Sequence, residues 1–245
     1  MDGSLNLRTW QNGPVVYVQI NRPDKSNAYD EPLLDSLERI VIQQEADAKI
    51  SAIVFCGAGN RSFCSGADLG EMQKKDFRSA LNLRSAQVFD KISACPKVTL
   101  AAINGAAVGG GLELALACDI RIAVKGARFF FPETKLGLIP AAGGTRRLPK
   151  IIGKALAKEM ILAGRILDSS DAERWGLVSE IVDFADLLPR AQQLGEQIAQ
   201  RDLVAIQLAK IAIDADSMPG MDSNFELVAE ALLYQVKREK KGGIN

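Results

Sequence analysis

The chain of 245 residues is 47% apolar and 24% charged, a globular composition with no low-complexity signature, long enough to bury a substantial core in one large or two small domains. Thirty Lys plus Arg balance thirty Asp plus Glu, so no broad attraction to nucleic acid or to an anionic membrane is built in. Histidine is absent, which excludes a His-dependent triad, a Cys–His pair, a His-ligated zinc site and a His general base; acid–base work falls to Glu, Asp, Lys, Tyr or Cys.

Two apolar runs, Leu5–Trp10 and Val15–Ile20, flank Gln11-Asn12-Gly13-Pro14, where Asn-Gly signals a hairpin. A loop over 21–29 follows. Asp30 is placed to cap a helix whose Leu33, Leu34, Leu37, Ile40 and Val41 recur at helical spacing. Ala52–Cys56 reads as a short buried strand, and Gly57–Gly70 as a glycine-dotted loop. Phe77, Leu81, Val88 and Ile92 mark one further helix, ended by Pro96. Val98–Ile103 is a second buried strand. It runs into the tightest glycine cluster of the chain, Gly105–Gly111, and then into a helix over Leu112–Cys118. The window Val98–Ile120 is long enough to span a bilayer, but Asn104, Glu113, Asp119 and its glycines make it strand, turn and helix. Ile120–Val124 and Arg128–Phe131 read as strands. From Lys154 the pattern is helical apart from a strand at Val178–Val182. The last helix carries a stripe of Phe225, Val228, Ala229, Leu232, Leu233 and Val236, which either joins the core or packs on another subunit.

The order is therefore an α/β core over residues 1–184, holding the site, followed by a helical region over 185–245. Cys56, Cys64, Cys95 and Cys118 are scattered without a C-x-x-C pair and read as buried thiols in a reducing compartment. MDGSLNLRTW has no apolar signal core. A soluble, cytoplasmic protein is the expectation.

Three segments carry chemistry-bearing residues. In Val98–Asp119 a buried strand enters a helix through glycines, and free N–H groups at such a helix start can hold a phosphate or an oxyanion. The spacing fits neither G-x-x-x-x-G-K-[ST] nor G-x-G-x-x-G, and tight strand–helix packing accounts for glycines equally well. Glu113 follows in an apolar first turn. It is either an exposed complement to the helix dipole or a buried carboxylate needing a partner or a proton. Glu133 follows Phe129-Phe130-Phe131-Pro132. It is either a desolvated acid with a raised pKa, or a helix opener, or a partner of Lys135. Asn60–Asp68 ends in a Ser-Gly-Ala-Asp turn able to present N–H groups. With no histidine to activate Cys64 or Ser65, a nucleophilic role for either has no base to support it.

Taken in order, Asn21-Arg22-Pro23 through Asn27-Ala28, Phe63–Leu69, Ala102–Ala115, Pro132-Glu133, Leu136–Pro140 and Gly143–Pro149 resemble the enoyl-CoA hydratase/isomerase family, the crotonase superfamily. The likeness runs over nearly the whole chain. LELALACDIR, PETKLG and GGTRRLP are most similar to its methylglutaconyl-CoA and AU-rich-RNA-binding hydratases. The resemblance implies a spiral of ββα units with a helical C-terminal oligomerisation region that forms trimers or dimers of trimers and covers the site. It implies an oxyanion hole from the N–H groups of Ala67 and Gly110, and catalysis by Glu113 and Glu133, which hold one water between them. Glu133 is expected to work at the α carbon and Glu113 on the water. The implied substrate is a 2-enoyl-CoA thioester. Coenzyme A enters only as part of that substrate, with no resident cofactor or metal. Lys25, Ala28, Ser65, Ala67, Asp68, Leu69, Gly70 and Gly110 match substrate-lining segments. The isomerases of the superfamily keep only the second carboxylate and its dehalogenases use an Asp and a His, so the pair here favours hydration; another acyl-CoA reaction on the same scaffold, such as methylglutaconyl-CoA hydration, isomerisation or decarboxylation, is the alternative. RNA binding would have to use the basic run Lys237, Arg238, Lys240 and Lys241, which reads more simply as a solvated face. Family members usually continue past the Lys-Gly-Gly-Ile-Asn region with an aromatic-containing helix and a basic tail that often covers the acyl-CoA site of its own or a neighbouring subunit, and this sequence stops at Asn245.

Overall fold

Asn12-Gly13 turns the chain as its dipeptide demands: Gly13 sits at φ +54°, and β1 (Leu7–Asn12) pairs antiparallel with β2 (Val15–Ile20). Trp10 and Tyr17 stack across that pair at 4.8 Å. The computed structural model describes residues 6–72, 76–214 and 225–242. The Asp30 side chain accepts the Leu33 N–H at 3.0 Å and starts α1 (Glu31–Ala46), with Pro32 in its first turn. Leu33, Leu34, Leu37, Ile40 and Val41 form its buried stripe.

From there the chain repeats one step. A strand joins the large sheet, a short strand joins a second sheet, and helix follows. The first step is β3 (Ala52–Gly57), β4 (Ser62–Cys64), α2 (Leu69–Met72), α3 (Phe77–Leu81) and α4 (Arg84–Ser93). The second is β5 (Val98–Ile103), β6 (Ala106–Val108) and α5 (Gly110–Ala117). The third is β7 (Ile120–Val124) and β8 (Arg128–Phe130), followed by a 3-10 turn over Glu133–Leu136, α6 (Gly144–Ile152) and α7 (Lys154–Leu162). β9 (Leu167–Asp168), α8 (Ser169–Arg174) and β10 (Glu180–Val182) close the series. The large sheet runs β1-β2-β3-β5-β7-β10, parallel from β2 onward, and the small one β4-β6-β8-β9. Each step of the large sheet is matched in the small one: Ala52 lies beside Val98 while Ser62 lies beside Ala106. β3 and β5 are buried along their whole length, as continuous apolar parallel strands require. This is the expected spiral of ββα units.

The chain divides into two compact units, residues 1–196 and 197–245. The division falls inside α9 (Leu187–Ala199), whose first part belongs to the first unit. There the Tyr17 hydroxyl donates to Gln192 Oε1 at 2.8 Å, and Gly195 lies against Val15. The second unit contains α10 (Leu203–Asp214) and α11 (Phe225–Gly242), which pack on each other. Of the α11 stripe, Ala229 is buried and Val228 and Leu232 are exposed. The side chains of Val236, Lys237, Arg238, Lys240 and Lys241 lie outside the described residues, as does that of Leu69. All four cysteines are buried and none forms a disulfide. Among the described residues no helix is long and apolar enough to cross a membrane.

Two readings change. The helix expected through Phe77, Leu81, Val88 and Ile92 is two helices, α3 and α4, and only the second buries its stripe; Phe77 and Leu81 are 78% and 74% exposed. The glycine-dotted stretches 57–70 and 105–111 are not loops throughout, since β4 and β6 run through them.

Candidate active site

The site is built where β6 enters α5. Gly109, at φ +52° and ψ −124°, occupies a backbone region that side-chain-bearing residues avoid, and its N–H donates to the Phe130 carbonyl at 3.0 Å. The next two glycines are there for space. A methyl group on Gly110 would overlap the Tyr29 hydroxyl and come within 2.9 Å of Cζ, and one on Gly111 would lie 2.5 Å from the Cys64 carbonyl carbon. Close packing and an open helix terminus are thus both true of this run.

The opposite wall is the 65–68 turn. Tyr29 and Ala67 form a parallel bridge: the Tyr29 N–H donates to the Gly66 carbonyl at 2.9 Å, and the Asp68 N–H to the Tyr29 carbonyl at 2.8 Å. Gly66, at φ +92°, lets this turn approach the Gly110 nitrogen; a methyl group there would lie 3.1 Å from it. Among the described residues, neither the Ala67 nor the Gly110 N–H donates to a backbone carbonyl outside the helices and strand ladders. Gly110 opens α5, where an N–H has no intrahelical acceptor. Two buried asparagines hold the loop behind the turn. Asn27 Nδ2 donates to Ala58 and Ser62 at 3.0 and 2.7 Å, and Asn104 accepts the Gly57 N–H and donates to Gly59, both at 2.8 Å.

Glu113 is buried in the first turn of α5 at 3% exposure, and its Oε1 accepts the Gly144 N–H at 2.8 Å. Burial first, and then the neighbouring Glu133, push its pKa from 4.5 to about 7; the Gly144 and Ala142 N–H groups and Arg147 oppose that rise. Glu133 heads the 3-10 turn after Pro132 and reaches over Gly109, where a methyl group would meet its Oε1 at 2.5 Å. Its Oε2 is buried with no hydrogen-bond partner within the protein, and burial raises its pKa from 4.5 to about 6. Of the open alternatives, Glu113 is the buried carboxylate, and Glu133 is at once desolvated and the opener of a short helical turn. Two carboxyl groups that raise each other's proton affinity can share a proton at neutral pH.

The 65–68 turn, which holds several of the expected substrate-lining residues, lies against Gly110 at the start of α5. Ser65 donates through its N–H to the Ser26 carbonyl at 3.1 Å, which sets 65–70 alongside 25–29. The Ala28 carbonyl accepts Arg22 Nη1 at 2.8 Å. Asp68 accepts Lys25 Nζ at 2.6 Å, Arg22 Nη2 at 3.2 Å and the Gly70 N–H at 3.0 Å; the Lys25 bond above all holds its carboxyl below the usual range. Lys25 is thus an ion-pair member whose outer part faces solvent.

Tyr29 and Ala142 were not singled out in the sequence, and Gly143-Gly144 entered only within the Gly143–Pro149 motif, with no role assigned. Tyr29 is fully enclosed, lies edge-on to Phe89 at 5.7 Å, and has its pKa raised by burial, by both glutamates and by Cys64. Nothing in a Tyr between a loop and a helix cap signals this. For Gly143-Gly144, φ +117° at Gly143 is the physical reason for one glycine, and the packing of Pro140, Phe131 and Glu113 around Gly144 for the other.

The profile of the enoyl-CoA hydratase/isomerase family matches residues 11–244. The short-chain-enoyl-CoA hydratase of Clostridium acetobutylicum is 34% identical over 92% of this chain and 87% of its own length. The 2,3-dehydroadipyl-CoA hydratase of Escherichia coli is 40% identical over 81% and 78%. The crystal structure of an enoyl-CoA hydratase from Bacillus anthracis superposes with a TM-score of 0.87 at 35% identity, covering 94% of this chain and 90% of that one. The chain is an enzyme of the enoyl-CoA hydratase/isomerase family, with the crotonase fold.

Proposed function

We propose that this enzyme adds water across the double bond of a 2-enoyl-CoA thioester to give the 3-hydroxyacyl-CoA. The observation that carries the reading is the pair Glu113 and Glu133 at the start of α5, beside the Ala67 and Gly110 N–H groups, with one carboxyl oxygen of Glu133 buried and unpartnered in the protein. The thioester oxygen accepts from those two N–H groups, which stabilise the enolate charge that develops on it; one such donor is worth roughly 3–4 kcal/mol in other enzymes. Water lies between the carboxyl groups. Glu113 takes its proton as the oxygen bonds to the β carbon, and Glu133 gives its proton to the α carbon. Proton exchange between the two groups and solvent restores the starting state. Burial raises both pKa values, to about 7 for Glu113 and about 6 for Glu133, so the pair carries one shared proton near neutrality, and the step requires that proton on Glu133.

Lys25, Ala28, Ser65, Asp68, Leu69 and Gly70 line the coenzyme A portion in this reading. We infer homo-oligomers, trimers or dimers of trimers, which would cover Leu227, Val228, Leu232 and Tyr234 of α11, all more than half exposed in the single chain. Four buried cysteines without a disulfide fit a reducing, cytoplasmic setting.

Loss of the conjugated-enoyl absorbance of crotonyl-CoA tests the reading. The wild type is expected to turn over rapidly, and Glu113→Gln and Glu133→Gln to lose roughly 10²–10⁴-fold in kcat, the usual worth of a placed acid or base. No loss of absorbance with crotonyl-CoA, longer enoyl-CoAs or 3-methylglutaconyl-CoA, together with turnover of a 3-enoyl-CoA, would replace hydration by isomerisation.

A further inference from the structure

The Gly144 N–H that meets Glu113 belongs to a turn held from behind by one side chain. Arg147 donates its backbone N–H to the Gly143 carbonyl at 2.8 Å and its Nη1 to the Ala142 carbonyl at 3.1 Å. Its Nη2 reaches the Phe89 carbonyl at 3.4 Å and pairs with Asp90 at 2.5 Å, both on α4. The Arg147 side chain is 12% exposed, and its guanidinium lies so close to Gly143 that a methyl group there would overlap Nη1. Arg147 therefore clips three parts of the fold together: the Ala142–Gly144 turn, α6 and α4. On the far side of the turn, Gly144 makes its bond to Glu113 at 2.8 Å. A planar fork of donors does this work, and a shorter or uncharged side chain cannot reproduce it.

We propose that Arg147 is a positioning residue for Glu113: by holding the Ala142–Gly144 turn against α5 it keeps an N–H on the Glu113 carboxylate and a cation behind it, and so stabilises the ionised form that takes a proton from water. The proposal rests on the role given to Glu113 above.

The surroundings of Glu113 leave this task to few groups. Glu133, from the 3-10 turn, opposes ionisation, and Arg147 favours it. Tyr29 and Cys64, facing from the loop before α1 and from β4, are both held neutral by burial. α4 contributes Asp90, already bound by Arg147 and Arg146, while its Arg84 and Lys91 are paired with Asp35, Glu38 and Glu45 of α1. β5 and β6 carry no ionisable side chain.

The test titrates the Glu113 carboxyl in the substrate-free, full-length protein by its infrared stretch, with Glu113→Gln identifying the band. Wild type, Arg147→Met and Arg147→Gln are compared, and the pH profile of crotonyl-CoA hydration is measured beside them. In Arg147→Met the Glu113 midpoint is expected to rise by about one pKa unit, a tenfold gain in proton affinity, and the acid limb of the hydration profile to move up with it, so that the rate deficit against wild type at the same pH shrinks as pH rises toward 9. Arg147→Gln, which keeps a donor for Ala142 but no charge, is expected to show a smaller rise, and it carries the test alone where Arg147→Met does not fold. An unmoved midpoint in the folded variants would overturn the proposal, as would a rate loss equal at every pH. A shifted midpoint in a protein that hydrates no enoyl-CoA would uphold the clip and reject the function.

Discussion

The turn from β5 through α5 and the C-terminal pair α10–α11 are built on opposite terms. Every residue of β5 and α5 is buried, and the three consecutive glycines that open α5 each face an atom a side chain would strike. α10 has no buried residue, and α11 buries only Ala229 among its described side chains. The first region is packed without spare room, Gly111 against the Cys64 backbone and Gly109 and Gly110 against the Glu133 and Tyr29 side chains, which is what a fixed oxyanion site needs. The second keeps large apolar side chains such as Ile213, Leu227 and Leu232 in solvent, which a single chain gains nothing from. Close packing is concentrated where the reaction is proposed, and exposed apolar surface where a partner is inferred.

The sharpest test of that contrast is alanine in each region. Gly111→Ala ought to gain about 1 kcal/mol from helix propensity. The overlap with the Cys64 carbonyl decides otherwise, because that neighbour is backbone of β4 and cannot swing aside. A net loss of about 3 kcal/mol is expected, at the upper end of overpacking costs. Ile213→Ala, at a side chain 79% exposed, is expected to stay within about 0.5 kcal/mol in the monomer. Denaturant melts of both variants check this, and equal effects would erase the distinction.

A pH series sharpens it further. Glu113 holds its proton more tightly in the native state, about 7 against 4.5, so the native state binds more protons between those values. Its contribution is fully favourable below pH 4.5 and is lost as pH rises through 7. Glu113→Gln keeps the acceptor for Gly144 without the charge. It is expected to melt like wild type near pH 4.5 and to exceed it by about 2–3 kcal/mol at pH 8, while losing activity. A flat difference across that range would show that burial is not what raises Glu113.

Much of this was legible in the sequence, and the gaps have physical causes. The hairpin at Asn12-Gly13, the cap at Asp30 and the strands around Ala52 and Val98 follow from local rules, because turn chemistry and apolar runs act within a few residues. β4, β6 and β9 escaped because strands of two or three residues carry no period; Ser62 becomes strand only by meeting Ala106, forty-four residues on. The single helix expected across Phe77–Ile92 failed for the converse reason, since four apolar residues at helical spacing do not guarantee one face when Leu81 and Phe77 end in solvent. The glutamates and glycines of the site were readable as a set, their placement now given by the fold. Tyr29 and the part played by Arg147 were not, because Tyr29 meets Gly110 from far along the chain and Arg147 holds the Ala142–Gly144 turn that in turn meets Glu113, contacts no spacing rule predicts.

The smallest expected effect lies at the rim, where Lys25 meets Asp68. Their bond is short at 2.6 Å, but Lys25 is 57% exposed, and a pair so open to water contributes about 0–1 kcal/mol. Asp68 also keeps Arg22 and the Gly70 N–H, so the Ala67 turn stays anchored without Lys25. Lys25→Ala is therefore expected to leave the melting temperature within a few degrees of wild type. It is expected to leave kcat for crotonyl-CoA intact and to raise KM a few fold, most at low ionic strength, because an exposed amine beside the turn attracts the phosphates of the coenzyme by a field that salt screens. A drop in kcat instead would mean that Lys25 reaches the Ala67 N–H through Asp68, and that the close-packed region extends outward to the edge of the site.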